Sequence, residues 1–260
     1  LAKKLLRVNL SDIAAMGATP YGYLLNISIP KNNGFNWIKS FVRGLKIEQD
    51  KFRIKLLGGD LSRSEKIFLS ATIYGKVSKK IHMNHTAKEG SLIYVSGNLG
   101  DASIGLKLLK KKNDKRIKSK EFFKKKLFLP VPKIDIGRKL LNYADFCTDI
   151  SDGLVRDLKK ISIYSNLRAN IFCSSIPLST HAKKIKKNFS DEKNFWKLIL
   201  GGGEDYELLF SIPKSKIKKF QRLKTFKAHE IGFFSEGNGL KIYKNRSGSS
   251  DLKYNGFSHF

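Results

Sequence analysis

Carboxylates gather in four short stretches: NLSDIAAMGA around Asp12, LLGGD ending at Asp60, TDISDG with Asp149 and Asp152, and GGGEDYE with Glu204, Asp205 and Glu207. Each lies in or beside a loop at an element end. Asp149 falls at the end of a strand-like run. Ser151 and Asp152 open a helical pattern whose apolar stripe is Leu154, Val155, Leu158 and Ile161. A Ser or Asp there can cap the helix by accepting from free backbone N–H groups. That role accounts for one residue and leaves the second acid unexplained. Two carboxylates three residues apart repel; a hard divalent cation removes that cost and prefers oxygen ligands. Gly153 would let backbone N–H groups approach a phosphate at the helix N-terminus.

The other stretches each carry two readings. LLGGD is a tight turn containing an acid, or a close backbone approach to a nucleotide with Asp60 on a metal. Three successive glycines in GGGEDYE exceed what a plain hairpin needs and keep space open at Glu204. Glu207 is expected to face solvent or to pair with a lysine. NLSD sits within a helical pattern, where a buried Asn–Ser–Asp hydrogen-bond network is the alternative to a metal ligand.

Other chemistry finds little support. His82, His85, His181, His229 and His259 show no metal-ligand spacing and read as surface or turn histidines. Neither a hydrolase elbow nor a P-loop occurs. Cys147 and Cys173 lack CxxC spacing, fit a reducing cytoplasmic compartment and read as small buried apolar groups.

These loops need elements to hold them. The first 80 residues read as helix, strand (23–29), helix, then two strands joined across a Gly-Gly-Asp loop, with the helices on one face of the sheet. The polar stretch 78–90 reads as a linker. Beyond it come strand SLIYVSG, helix ASIGLKLLKK, an exposed basic helix and loop over 110–126, a helix after two prolines, strand ADFCTDI and the helix after SDG. Strand LRANIFC, helix DEKNFWKLIL, a strand after the glycine loop and helix KIKKFQRLKTF follow. HEIGFFSEG and GLKIYKN close the pattern as a hairpin. The class is therefore α/β (α+β) with two domains, residues 1–80 and 81–260, the second an α/β domain.

The 260 residues, 41% of them hydrophobic, suffice for such cores. A net charge of +29 invites a nucleic-acid reading, but the lysines are dispersed over most helices and accompany no zinc-finger, RRM or KH pattern. No apolar run reaches the about 18 residues of a membrane span. The start, LAKKLLRVNL, has no Met and enters directly into a helical pattern, so the chain reads as a piece of a longer protein.

Taken in order, VNLSDIAAMGATP, GGDLSRS, VSGNLGDASIGLKLL, CTDISDGLVRDL, GGGEDYELLF and the terminal NGFSHF resemble the thiamine-monophosphate kinase family, in the superfamily of aminoimidazole ribonucleotide synthetase. The resemblance covers the whole chain. It implies an aminoimidazole ribonucleotide synthetase-like fold and a homodimer formed by the first domain. It also implies ATP-dependent phosphorylation of thiamine phosphate with several Mg²⁺ ions. It carries metal binding to Asp12, Asp60, Asp149 and Asp152, and ATP binding to Gly59, Asp60 and Ser151. Substrate contacts fall to Glu204 and to Phe257, the latter stacking near the thiamine. The acceptor is itself a phosphate, already an anion, so no general base is expected among these residues. Runner-up readings are another ATP-using enzyme of the superfamily and a basic nucleic-acid-binding protein.

Three departures stand out. A GDDAA-like metal loop and a VEGVHF-like strand that open the family's sequences are absent. The family's Arg in RSGA, which contacts ATP, is replaced by Asn84 in NHTA; a neutral amide does not reproduce a guanidinium on phosphate. An aromatic that usually touches ATP before GGD has Phe41 as its nearest counterpart.

Overall fold

The computed structural model describes residues 1–32, 34–77, 79–83, 85–110, 119–187, 189 and 191–247. Its first sheet is built on β1 (Thr19–Ile29), which pairs in parallel with β2 (Lys55–Arg63) and antiparallel with β3 (Phe68–Lys76), giving the order β2-β1-β3. Helices α1 (Ala2–Ala15) and α2 (Phe35–Phe52) cover one face. The period-3.6 stripe of α1 puts Leu6 and Leu10 against Tyr23 and Leu25 of β1, with Phe41 and Leu45 of α2 completing the cluster.

Two sequence expectations fail here. The Gly-Gly-Asp stretch is not a loop but lies inside β2, and β2 and β3 are not neighbours, because β1 runs between them. Turn glycines and close-approach glycines look alike in sequence. Here Gly59 has φ +151, and a Cβ on it would sit 1.9 Å from the Leu25 carbonyl oxygen.

The second sheet holds β4 (Leu92–Val95), β5 (Phe146–Asp149), β6 (Arg168–Phe172), β7 (Leu208–Ile212), β8 (His229–Ser235) and β9 (Gly239–Tyr243), in the order β5-β7-β4-β8-β6-β9. The last two strands do not form the expected hairpin. β6 lies between them, antiparallel to β8 and parallel to β9. Residues 236–238 cross two strand spacings, about 10 Å, which an extended link of that length spans. Around this sheet stand α3 (Asp101–Lys110), α4 (Lys120–Phe128), α5 (Ile134–Leu140), α6 (Leu154–Ser165), α7 (Thr180–Lys187), α8 (Glu192–Gly201) and α9 (Ile217–Gln221). The basic helix α4 is not simply exposed: Phe123 and Leu127 are buried, the former in the main core. Most of the preceding basic run, 111–118, lies outside the described residues. Both cysteines are buried and free, as their apolar reading required.

Helix α1 also packs on α5 and β5 of the second sheet. The approach is close: a Cβ on Gly137 would meet the Ala14 carbonyl oxygen at 1.8 Å. His82 is buried there, its Nε2 3.0 Å from the Gly137 carbonyl oxygen, rather than at the surface as its spacing suggested. Gly137→Ala is expected to force the two helices apart and to lower stability by about 1–3 kcal/mol. Urea melts of the two proteins measure this; equal midpoints and slopes would show that the helices can separate freely.

Candidate active site

The end of β5, the loop after it and the glycine loop before β7 form one surface. Ladder bonds continue past the strands: Ile150 N–H donates to Glu207 O, Tyr206 N–H to Ile150 O, and Glu204 N–H to Ser151 O, each at 2.9 Å. The Gly-Gly-Gly run is needed because the two loops touch backbone to backbone. A Cβ at Gly203 would stand 2.2 Å from the Ser151 carbonyl oxygen. Helix α6 begins only at Leu154, with Gly153 as its N-cap, so Ser151 and Asp152 lie in the bend before the helix rather than in its first turn.

Asp149 closes β5 and is buried. Ser11 of α1, fully buried, donates its Oγ–H to Asp149 Oδ2 at 2.6 Å. Burial, with the charges of Asp12 and Asp152 adding to it, pushes the Asp149 carboxyl up to about 6, against the opposing pull of the Ser11 bond. Asp12 is itself exposed on α1, yet protein around it still excludes enough water to raise its carboxyl. Asp152 meets Lys160 Nζ at 2.7 Å and Arg156 Nε at 3.5 Å.

Glu204 is ion-paired with Lys4 of α1. The phenol of Tyr206, almost buried, is held well above its ordinary range, first by burial and then by the charges of Glu204, Asp149, Asp12 and Asp152. The charges of four of the acids singled out from sequence thus act on one side chain. Glu207 turns inward, accepting from Ser96 Oγ at 2.6 Å and meeting Lys133 Nζ at 3.0 Å; the lysine partner was expected, the burial was not.

Gly59 and Asp60 stand elsewhere in this single copy. Asp60 faces Asn26 in register, next to the Ser28–Ser62 hydroxyl pair at 2.7 Å, on the sheet face that α1 and α2 leave open. Asn84 and Phe257 lie outside the described residues. Phe41 belongs to the core, stacked on Trp37 with centroids 5.1 Å apart.

Sequence reasoning passed over Lys4, Tyr206 and Asp157, and had Ser11 only within a local Asn–Ser–Asp network, whereas its partner is Asp149 across the fold. Ser11 had a signal: a polar side chain beside Leu10 on the buried stripe of α1 needs a partner. Asp157 had one too, an acid in the first turn of a helix; its Oδ2 accepts from Asp152 N–H at 3.2 Å. Lys4 and Tyr206 had none, since only tertiary contact recruits them.

Among the described residues, no three Asp, Glu, His or Cys side chains make a ready-made metal cage. The donors present are carboxylate oxygens, which suit a hard cation. Mg²⁺ characteristically keeps several waters and takes one or two carboxylates.

A three-stranded sheet roofed by two helices, joined through α1 to a six-stranded sheet whose acidic loops gather at one edge, defines an AIR synthase-like α/β fold. Residues 1–77 match the model of the AIR synthase related protein, N-terminal domain. Over 267 residues, all of this chain and 80% of the other, the sequence is 39% identical to the thiamine-monophosphate kinase of Buchnera aphidicola subsp. Schizaphis graminum. Among solved structures, AaThiL complexed with AMPPCP and TMP superposes with a TM-score of 0.83 at 30% identity, covering 93% of this chain and 75% of that one. Thiamine-monophosphate kinase from Stenotrophomonas maltophilia gives 0.84 at 30% identity, over 95% and 79%. The chain belongs to the thiamine-monophosphate kinase family.

Proposed function

We propose that this chain catalyses ATP-dependent phosphorylation of thiamine phosphate to thiamine diphosphate, using the carboxylate-lined edge of the six-stranded sheet. The carrying observation is that the Asp149–Asp152 loop and the Glu204 loop are zipped together by backbone bonds, with α1, which bears Asp12, bonded to Asp149 through Ser11 and to Glu204 through Lys4, in a chain whose structural relative binds an ATP analogue and TMP. A terminal phosphate oxygen of the acceptor attacks the γ-phosphorus of ATP; the bond to the β-phosphate oxygen breaks and ADP leaves. The acceptor oxygen is already anionic, so no side chain has to remove a proton. What the chain must supply is position and relief of repulsion between two anions. Bound Mg²⁺ would supply that relief, with Asp12, Asp149 and Asp152 as its holders here and Asp60 as a further one.

Gly59, Asp60, Ser151 and Asn84 are assigned to ATP, and Glu204 and Phe257 to the thiamine end. Glu204 can exchange its Lys4 partner for the cationic thiazolium. Residues 1–80 form the ATP- and metal-binding, dimerising domain and residues 81–260 the second domain. A homodimer joined through the open face of the first sheet would cover exposed Leu24 and Phe68. Action in the cytoplasm agrees with free, buried cysteines, and among the described residues no helix is long and apolar enough to cross a membrane.

The test is ADP release with thiamine phosphate, thiamine and unrelated phosphate acceptors. Turnover only with an acceptor other than thiamine phosphate would overturn the assignment. Glu204→Ala is expected to raise the KM for thiamine phosphate about tenfold while changing that for ATP little, as loss of one charged contact does. The reverse pattern would move Glu204 to the nucleotide.

A further inference from the structure

The loop that presents Glu204 has an unusual backbone. Glu204 and Tyr206 both take the left-handed conformation, at φ +75 and +51, and neither is glycine. Each such residue costs on the order of 1 kcal/mol or more, so something must hold the pair. On one side the loop is zipped to 150–151 by backbone bonds. On the other side, the residue between the two left-handed ones reaches away from the site. The Asp205 carboxylate accepts from Gly100 N–H through Oδ2 at 2.8 Å, at the N-terminus of α3. That end of α3 offers unpaired N–H donors and the positive end of the helix dipole. Ser103 Oγ adds a bond to the Gly203 carbonyl at 3.2 Å.

We propose that Asp205 is a positioning residue for substrate recognition: by capping α3 it locks the loop so that Glu204 and Tyr206 face the carboxylate cluster. The inference rests on the reading of Glu204 as a contact to the thiamine end. Asp205 itself bonds to Gly100, on the far side of the loop from Ser151. Releasing it lets both left-handed residues relax toward ordinary backbone, and Glu204 moves with them.

The experiment compares Asp205→Ala, Asp205→Asn, Asp205→Glu and Glu204→Ala by steady-state kinetics, with thermal melts alongside. Asparagine keeps an acceptor of the same shape for Gly100 N–H and is expected to hold the thiamine phosphate KM within about twofold of the parent. Alanine should raise that KM about tenfold or more with the ATP KM little changed, because displacements of about 1 Å suffice for such losses. Glutamate, one methylene longer, should do the same while keeping the charge, and it provides the result if alanine prevents folding. A purely structural role would lower the melting temperature and leave KM unchanged in every folded variant, and that outcome overturns the inference. If Glu204→Ala raises KM but neither Asp205→Ala nor Asp205→Glu does, positioning by Asp205 is wrong. If Glu204→Ala leaves KM unchanged while Asp205→Ala raises it, the assignment of Glu204 fails and the loop acts through Tyr206.

Discussion

Asp149→Asn is expected to cut turnover about 100-fold or more at low Mg²⁺, with partial recovery as Mg²⁺ is raised, and to leave the metal-free protein more stable at neutral pH. The first half follows from removing a buried anionic oxygen donor where cation and phosphates must meet. The second follows from the sign of the carboxyl's shift. Its value rises from 3.8 to about 6 on folding, chiefly through burial and then through Asp12 and Asp152. Below about pH 4 the group is protonated in both folded and unfolded chains and contributes no penalty. Between pH 4 and 6 the unfolded chain ionises first, so the folded state loses stability as pH rises, by roughly 2–3 kcal/mol once above pH 6. Asparagine carries no such penalty and can still accept from Ser11. Melts at pH 4 and pH 7 would show a gain for the variant only at pH 7. Unchanged turnover at micromolar Mg²⁺ would remove Asp149 from the metal site, and a gain that is equal at both pH values would show that its carboxyl is not raised by burial.

Arg7→Ala is expected to destabilise the fold by about 3–5 kcal/mol. Arg7 is 8% exposed and Glu48 is 0% exposed. The guanidinium donates through Nε to Glu48 Oε2 at 2.7 Å and through Nη2 to Oε1 at 2.9 Å, a two-pronged pair linking α1 to α2. Its Nη1 also donates to the Pro130 carbonyl at 3.1 Å, beyond the end of α4. Truncation strands a buried carboxylate and an unpaired carbonyl. Replacing both partners together, Arg7→Met with Glu48→Leu, is expected to cost far less, because no charge is then left buried alone. Denaturant melts of the single and double variants settle it; a double variant as unstable as Arg7→Ala would show that packing, not charge, is what Arg7 supplies.

Most helices and strands were legible because each carries its own period: the Leu6, Leu10, Ile13 stripe of α1 and the apolar run of β7 need no tertiary information, whereas α7, with Ala182 as its only buried residue, was not assigned. Asp149, Asp152 and Glu204 could be singled out because acids beside glycines at strand ends cost something without a ligand, and the fold joins the two loops that carry them. Strand order was not legible. Whether Gly58 and Gly59 turn the chain or let β2 lie against Leu25 depends on a partner strand thirty residues away, and the same holds for β6 entering between β8 and β9. Arg7 and Glu48, forty-one positions apart, looked like two of many surface charges in a lysine-rich chain. Lys4 reaches Glu204 only because the first helix folds over the last third of the sequence.

The Ala14–Gly137 approach, with Ser11 bonded to Asp149 one turn earlier, means that the amino-terminal helix serves as a wall of the far sheet's cleft as well as a roof for its own. Severing the polypeptide between 77 and 92 would therefore not yield two autonomous halves. The carboxy-terminal fragment would keep its strands but lose the hydroxyl that bonds Asp149, and activity is expected to reappear on mixing the fragments rather than in either alone.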